Sequence, residues 1–222
     1  MDKFLLAVSF LLMLGGCSVT KERVDPYAGL LPTGYQQTKS NITSINKADL
    51  QKSKVFVVTG ANFEHYSETW NVFDKQIKSG SVSDLVYSRA ELERMQSSWS
   101  PALATNNLVL TLKNVFGEVQ IVEDLATAKS NQANWIVMFD HAFEQPSTAS
   151  ATWTTTTQID LLDGSLNLVA SSRSSSKHSH GIAWGSADVM RLSVQRGTDI
   201  KNSIDEAMGK FRLSLESLTS KR

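Results

Sequence analysis

The chain has little cysteine and no excess of charge of either sign. Cys17 is the one cysteine among 222 residues, which excludes an intramolecular disulfide and a metal site built on several cysteines. Lysine plus arginine and aspartate plus glutamate each number 22, so the formal net charge is zero. The basic excess that is typical of nucleic-acid binding proteins is therefore missing, and we predict no nucleic-acid partner.

Long apolar runs are also absent, apart from one near the amino terminus. Lys3 precedes an apolar run that covers residues 4–14. A helix needs roughly 20 apolar residues to cross the hydrocarbon core of a bilayer. A shorter run that is followed by small residues is typical of a secretory signal peptide. We therefore expect residues 1–16 to be a signal that is removed from the mature protein.

The stretch that follows this run is Leu14-Gly15-Gly16-Cys17-Ser18. It resembles the lipobox of bacterial lipoproteins, in which the signal is cut before a cysteine whose thiol carries a diacylglyceryl group. The resemblance implies cleavage between Gly16 and Cys17, acylation of the new amino terminus and anchoring through the lipid. In a Gram-negative host, Ser18 implies sorting to the outer membrane on its periplasmic face. The alternative is an ordinary signal peptide with an incidental cysteine.

The chain changes character between residues 17 and 53. This segment is rich in Thr, Ser, Lys, Gln and Asn and shows no sustained hydrophobic period. The composition predicts a flexible tether for a lipidated amino terminus. The apolar residues of "DPYAGLLPTGY" leave open a second interpretation, in which the segment packs on the domain or on a partner. Residues 54–222 are predicted to form a single domain.

Local patterns over 54–222 predict strands and helices in mixed order. The β-branched run at 54–59 indicates a buried strand, and Asp163-Gly164 between two extended runs is a strong hairpin signal. Further strands are predicted at 83–88, 118–124 and 134–144, and further helices near Ser67, Ser88, Pro101 and Asp124. These patterns predict an α/β (α+β) fold with a mixed sheet of about five strands and helices packed on it.

The carboxy-terminal segment has the strongest helical pattern. From Asp199 onward, apolar residues recur at spacings of three and four, which predicts a long amphipathic helix. Gly197 is expected to break any helix that precedes it. Residues 186–196 fit either a separate helix or an irregular crossing.

Three local patterns point to a family layout: "LVYSRAELERM", "ANWIVMFDHAF" and "IDLLDGSLNLVASS". Together they resemble periplasmic lipoprotein domains of the curli-secretion, penicillin-binding-protein-activator and Tol amino-terminal type. The resemblance implies a small α/β sandwich with helices on a mixed sheet. The chain departs from this family at 60–80, which is longer than the pattern requires. It also lacks the pair of amphipathic hairpins that a membrane pore needs.

Sequence motifs for catalysis are missing. No His-Glu-x-x-His, Gly-x-Ser-x-Gly or phosphate-binding loop occurs, so we predict a protein that is not an enzyme and has no cofactor. His178 and His180 are weak metal candidates, because residues two apart on an extended segment lie on one side. His141 or Asp140 would then supply a third zinc ligand. The alternative is two solvated histidines in a serine-rich loop, and no metal site is assigned.

Tryptophans next to polar segments are the candidate contacts with a partner. Trp153 and Trp184 both have this position. The leading hypothesis is an accessory module in envelope assembly that binds another envelope protein. Two alternatives stay open: a small-molecule or glycan-binding auxiliary of a transport system, and a metal-dependent enzyme.

Overall fold

A five-stranded mixed sheet with helices on both faces organises the chain. The structure, a computed structural model, describes residues 23–31, 37–79, 88–98, 100–145, 152–181 and 186–220. Its strands are β1 (Lys54–Thr59), β2 (Glu118–Ile121), β3 (Trp135–Glu144), β4 (Thr152–Asp163) and β5 (Leu168–Ser179). Its helices are α1 (Lys47–Leu50), α2 (Ala61–Lys78), α3 (Arg89–Ser98), α4 (Pro101–Lys113), α5 (Leu125–Ser130) and α6 (Ser186–Ser220). The predicted fold class is confirmed.

The strand order in the sheet is β2-β1-β3-β4-β5, so β3 is central. β1 is parallel to both β2 and β3, whereas β3, β4 and β5 are antiparallel to one another in turn. The parallel half is joined by helical crossovers and the antiparallel half by the predicted hairpin. Asp163 closes that hairpin by accepting hydrogen bonds from the backbone N–H groups of Ser165 and Asn167, each at 2.9 Å.

Each face of the sheet has its own apolar core. Successive residues of a strand point to opposite faces, which explains why all of "VFVV" in β1 is buried. Val55 and Val57 belong to the core beneath α2, α4 and α6, while Phe56 and Val58 belong to the core beneath α5. The first core also holds the apolar stripe of α6 predicted from the sequence, of which these members are buried: Ile200, Ile204, Ala207, Phe211 and Leu215.

Two predicted helix boundaries are wrong. The helix expected to begin near Ser67 begins at Ala61. Gly197 does not break the last helix, because α6 runs continuously over 35 residues from Ser186. A helical glycine costs only about 1 kcal/mol relative to alanine, and burial of the apolar stripe of α6 outweighs that cost. Residues 186–196 are therefore helical. The strand predicted at 83–88 lies almost wholly outside the described residues.

The flexible-tether prediction does not hold for 23–31 and 37–53. Tyr27 packs on the second core, and its hydroxyl donates to Asp160 Oδ2 at 2.6 Å. Ser40 donates to Asp163 Oδ2 at 2.8 Å, and Leu50 is 1% exposed. Burial of the apolar side chains of this segment stabilises its packed position, which a purely polar spacer could not achieve. The alternative interpretation, in which the segment packs on the domain, therefore describes these residues.

The described helices are too short or too polar to cross a membrane. None of them, α6 included, combines the length and the apolar character that a bilayer span requires.

A carboxylate on the central strand sets the start of α2. Asp140 Oδ1 accepts hydrogen bonds from the backbone N–H groups of Asn62 and Phe63, at 3.0 and 3.1 Å. Asp140 Oδ2 accepts a third from the side-chain amide of Asn62 at 2.8 Å. First-turn N–H groups have no partner inside a helix, so a buried helix start needs such an acceptor. At Gly60 a Cβ would lie 2.7 Å from Asp140 Cβ, which is why a glycine precedes the helix.

We predict that Asp140→Ala lowers the free energy of unfolding by about 2–3 kcal/mol, because three buried hydrogen bonds are lost. Chemical denaturation of wild type and variant measures the loss. Asp124→Ala is the matched control, since Asp124 caps α5 from an exposed position through Thr127 N–H. The control should lose clearly less stability; an equal loss in both variants would contradict the structural role of Asp140.

Candidate functional site

A polar layer lies between the hairpin and α6. Beside its apolar stripe, α6 carries Asp199, Ser203 and Glu206, which follow one another at helical spacings of four and three. Ser203 pairs with Thr157 at 2.9 Å, and Glu206 Oε2 accepts from Ser174 at 2.7 Å. The serine- and threonine-rich strands therefore have a structural reason: their inward hydroxyls satisfy the polar face of a helix that covers the sheet.

Two histidines and one carboxylate meet at one end of this layer. His178 Nδ1 lies 3.2 Å and His180 Nε2 lies 3.1 Å from Asp199 Oδ2. Each imidazole side chain is 20% exposed and the Asp199 side chain 6%. The prediction that the two histidines share one side is met. His178 lies in β5 and His180 directly follows the end of that strand, so the two do not belong to a solvated loop.

The third member of this group is Asp199, and not His141 or Asp140 as the sequence suggested. The two β3 residues have other partners: Asp140 caps α2, and His141 Nδ1 pairs with Thr157 Oγ1 at 2.9 Å. Asp199 lies 21 residues after His178 and 19 after His180, on α6, whose start was predicted wrongly, so no spacing pattern pointed to it. These three are the residues of the described chain that could hold a metal ion.

Trp153, predicted to contact a partner, is instead fully buried in this chain. Its indole N–H donates to Asp199 Oδ2 at 3.1 Å. The His180 ring stacks on it with centroids 4.5 Å apart, and the Arg196 guanidinium lies 5.3 Å from its ring centre. A tryptophan beside a polar segment can contact a partner, or it can pack inside the domain and donate its N–H to a buried polar group. Trp153 does the second. Trp184 lies outside the described residues.

Burial shifts the pKa of several groups near the layer. Removal from solvent lowers the pKa of His141 to about 3, and the ring stands edge-on to Tyr66 with centroids 5.0 Å apart. Burial likewise raises the pKa of the Tyr66 hydroxyl and lowers that of Arg196. For Asp140, burial raises the pKa, against the opposing effect of the hydrogen bonds from α2. His141 is therefore neutral in the folded protein at physiological pH.

The comparisons with known proteins assign no family to the chain. No family model and no curated protein matches it. One similar solved structure is a PelC variant dodecamer from Paraburkholderia phytofirmans, with 14% sequence identity, 68% of this chain and 89% of that chain covered, and a TM-score of 0.30. A second PelC dodecamer from the same organism shows 15% identity, coverage of 74% and 94%, and a TM-score of 0.29. Likenesses at these scores carry no argument about function.

The buried His141 predicts how stability depends on pH. Its pKa falls from 6.5 in the unfolded chain to about 3 in the fold, so its contribution is complete above 6.5 and is lost as pH falls from 6.5 towards 3. Between pH 7.5 and pH 5 this loss amounts to about 2 kcal/mol.

We therefore expect His141→Leu to flatten the dependence of the unfolding free energy on pH over that interval, as measured by denaturant titrations at several pH values. His65→Ala, which removes a partly exposed histidine on α2, is the control and should keep the wild-type slope. An unchanged slope in the His141 variant would refute the assignment.

Proposed function

We propose that the protein is a lipid-anchored envelope protein that acts as a non-enzymatic interaction module. Residues 14–18 support the anchor, because two small residues precede the single cysteine at the end of a short apolar run. The lipid on Cys17 would hold the domain at the periplasmic face of the outer membrane, and confinement to a surface raises its effective concentration towards envelope partners. In a Gram-negative host, Ser18 supports sorting to the outer membrane.

The packing around Trp153 is the observation that favours an interaction module over a ligand binder. A binding auxiliary would place such a ring in an open cleft, whereas Trp153 is 0% exposed and its N–H already has an acceptor. A groove between α4 and α6, beside Leu103 and Ile204, leaves room for about one water molecule. The described part of the chain thus supports action through its surface.

The face of α4 is the surface we assign to an envelope-protein partner. Leu103 and Leu110, seven residues apart on one side of the helix, are 42% and 62% exposed. Lys113 is the one charged residue in the 13 residues of α4. Interface centres are poor in charge and contain apolar anchors, whereas an ordinary solvent-facing helix is rich in charge. A partner that presents an apolar helix face would match this surface.

The anchor predicts the behaviour of two variants. Cys17→Ser should remove the lipid, because serine lacks the thiol that forms the thioether, and the protein should no longer incorporate a labelled fatty acid in cells. Ser18→Asp should keep the lipid but shift the protein to the inner-membrane fraction of a density gradient in a Gram-negative host. Fatty-acid incorporation into Cys17→Ser would sink the anchor.

The α4 surface predicts where a partner can be trapped. A photo-crosslinking residue at position 110 should yield one dominant crosslinked envelope protein in intact cells, and Leu110→Ser should weaken the same association. Position 213 on α6 is the matched control, because Leu213 is 61% exposed, nearly as much as Leu110. Equal yields at both positions, or crosslinks to lipid alone, would contradict a protein-binding role for α4.

A further inference from the structure

Three potential ligand atoms of the His178, His180 and Asp199 group already lie near the separations of a metal site. The two nitrogens are 3.2 and 3.1 Å from Asp199 Oδ2, and all three atoms lie within 4.8 Å of one another. Ligand atoms that sit about 2.0–2.1 Å from a tetrahedral Zn²⁺ ion are about 3.3 Å apart. Two of the three separations therefore match such a site, and the third, between the two imidazole nitrogens, is within 4.8 Å.

Without a cation, Asp199 Oδ2 has more nitrogen atoms within hydrogen-bond distance than lone pairs to accept from them. Trp153 Nε1, His178 Nδ1 and His180 Nε2 all lie within 3.2 Å of the single atom Oδ2. A carboxylate oxygen offers about two lone-pair positions, so three donors compete for it in the tautomers that place a hydrogen on both of these ring nitrogens. With a cation between the imidazoles and Oδ2, the two histidines become ligands and Trp153 is left as the one donor to that oxygen. Each lone pair then has one partner.

The surroundings match what orients metal ligands in proteins. Thr155 Oγ1 lies 3.2 Å from His178 Nε2, the ring nitrogen that faces away from Asp199. Gln195 donates to Asp199 Oδ1 at 3.0 Å. A ligating imidazole usually has its second nitrogen hydrogen-bonded, and a ligating carboxylate is usually hydrogen-bonded as well, because these contacts fix ring and carboxylate orientation. Thr155 supplies this contact for His178, and Trp153 and Gln195 supply it for Asp199.

We infer that His178, His180 and Asp199 form a binding site for Zn²⁺. Two imidazole nitrogens and one carboxylate oxygen suit zinc rather than Mg²⁺ or Ca²⁺, which prefer oxygen ligands only. The dication also neutralises the charge of a carboxylate whose side chain is 6% exposed. Because each imidazole is 20% exposed, solvent reaches the group and can fill a fourth tetrahedral position with water.

The consequence of such a site is mechanical. His178 and His180 lie at the end of the hairpin, whereas Asp199 belongs to α6. Zinc would tie the last strand to the helix that covers it, much as a crosslink would. The inference stands independently of the lipid anchor and of any partner at α4, since it concerns contacts inside the domain alone.

The test uses the full chain with Cys17→Ser, purified in detergent, so that no thiol competes for metal. Co²⁺ titration should produce the visible absorption of a four-coordinate site, Zn²⁺ should displace it, and dialysed protein should keep one Zn²⁺ per chain. His178→Ala and His180→Ala should each weaken Zn²⁺ binding by on the order of 100-fold or more, and Thr155→Val by about 10-fold. His65→Ala is the control and should bind Zn²⁺ as the parent does.

Two outcomes would overturn the site: substoichiometric zinc in the folded parent, or unchanged affinity when His178 and His180 are both replaced. Far-ultraviolet circular dichroism and a cooperative thermal transition establish that each variant is folded. Should an alanine variant fail this check, His178→Gln and His180→Gln keep a polar group at each position while removing the imidazole, and the same loss of affinity is expected. Zinc should also raise the midpoint of thermal unfolding in the parent but not in the variants.

Discussion

The carboxylate of Asp140 links three parts of the fold that are distant in the chain: the central strand, the start of α2 and, through Asn62, the amino-terminal segment. It sits on the central strand, and it receives the first N–H groups of α2 together with the side chain of Asn62. Asn62 in turn bonds the backbone of Val24 through both of its side-chain atoms, at 3.0 Å each. Sheet, helix and amino-terminal segment thus meet at one buried acid. Burial raises the pKa of this carboxyl by making its ionised form costly, and the donors around it recover part of that cost.

Buried polar groups that have hydrogen-bond partners also organise the hairpin half of the sheet. α6 covers the hairpin with two adjoining stripes, one apolar and one polar. The hairpin packs Ile159 and Leu161 against the apolar stripe and places hydroxyl groups against the polar stripe. Buried polar groups without partners cost stability, but here the polar side chains of α6 form hydrogen bonds with hydroxyl groups of the hairpin. The gain is a defined register, because a shift of α6 by one turn would leave Asp199 and Glu206 without their partners.

Features that arise from short stretches of sequence were predictable. The buried run of β1, the Asp163 hairpin and the Asp124 cap are each encoded within a few residues, and the structure has all three. The start of α2 was not predictable, because its cap comes from Asp140, 78 residues away from Asn62 in the chain. Local propensity describes only the neighbours of a residue in sequence, while a cap of this kind is made by the fold.

In the candidate site, too, local features were predictable from the sequence and long-range contacts were not. The spacing of His178 and His180 correctly placed both rings on one side of an extended segment, since that follows from strand geometry alone. The identity of the third group depended on how α6 crosses the hairpin, and a glycine at position 197 obscured where that helix begins. Trp153 was misassigned for a related reason: a tryptophan beside polar residues fits an interface and a buried acid equally well until its neighbour Asp199 is known.

The docked amino-terminal segment changes the distance at which the domain can work. With residues 23–31 held on the domain, the stretch from Cys17 to the first described residue is six residues long, counting Cys17 (17–22), instead of the 37 (17–53) of a fully free tether. Six residues reach at most about 20 Å even when fully extended, which is less than the thickness of a bilayer core. A lipid at Cys17 would therefore keep the domain close to the headgroups, and only partners within that shallow zone would be in reach.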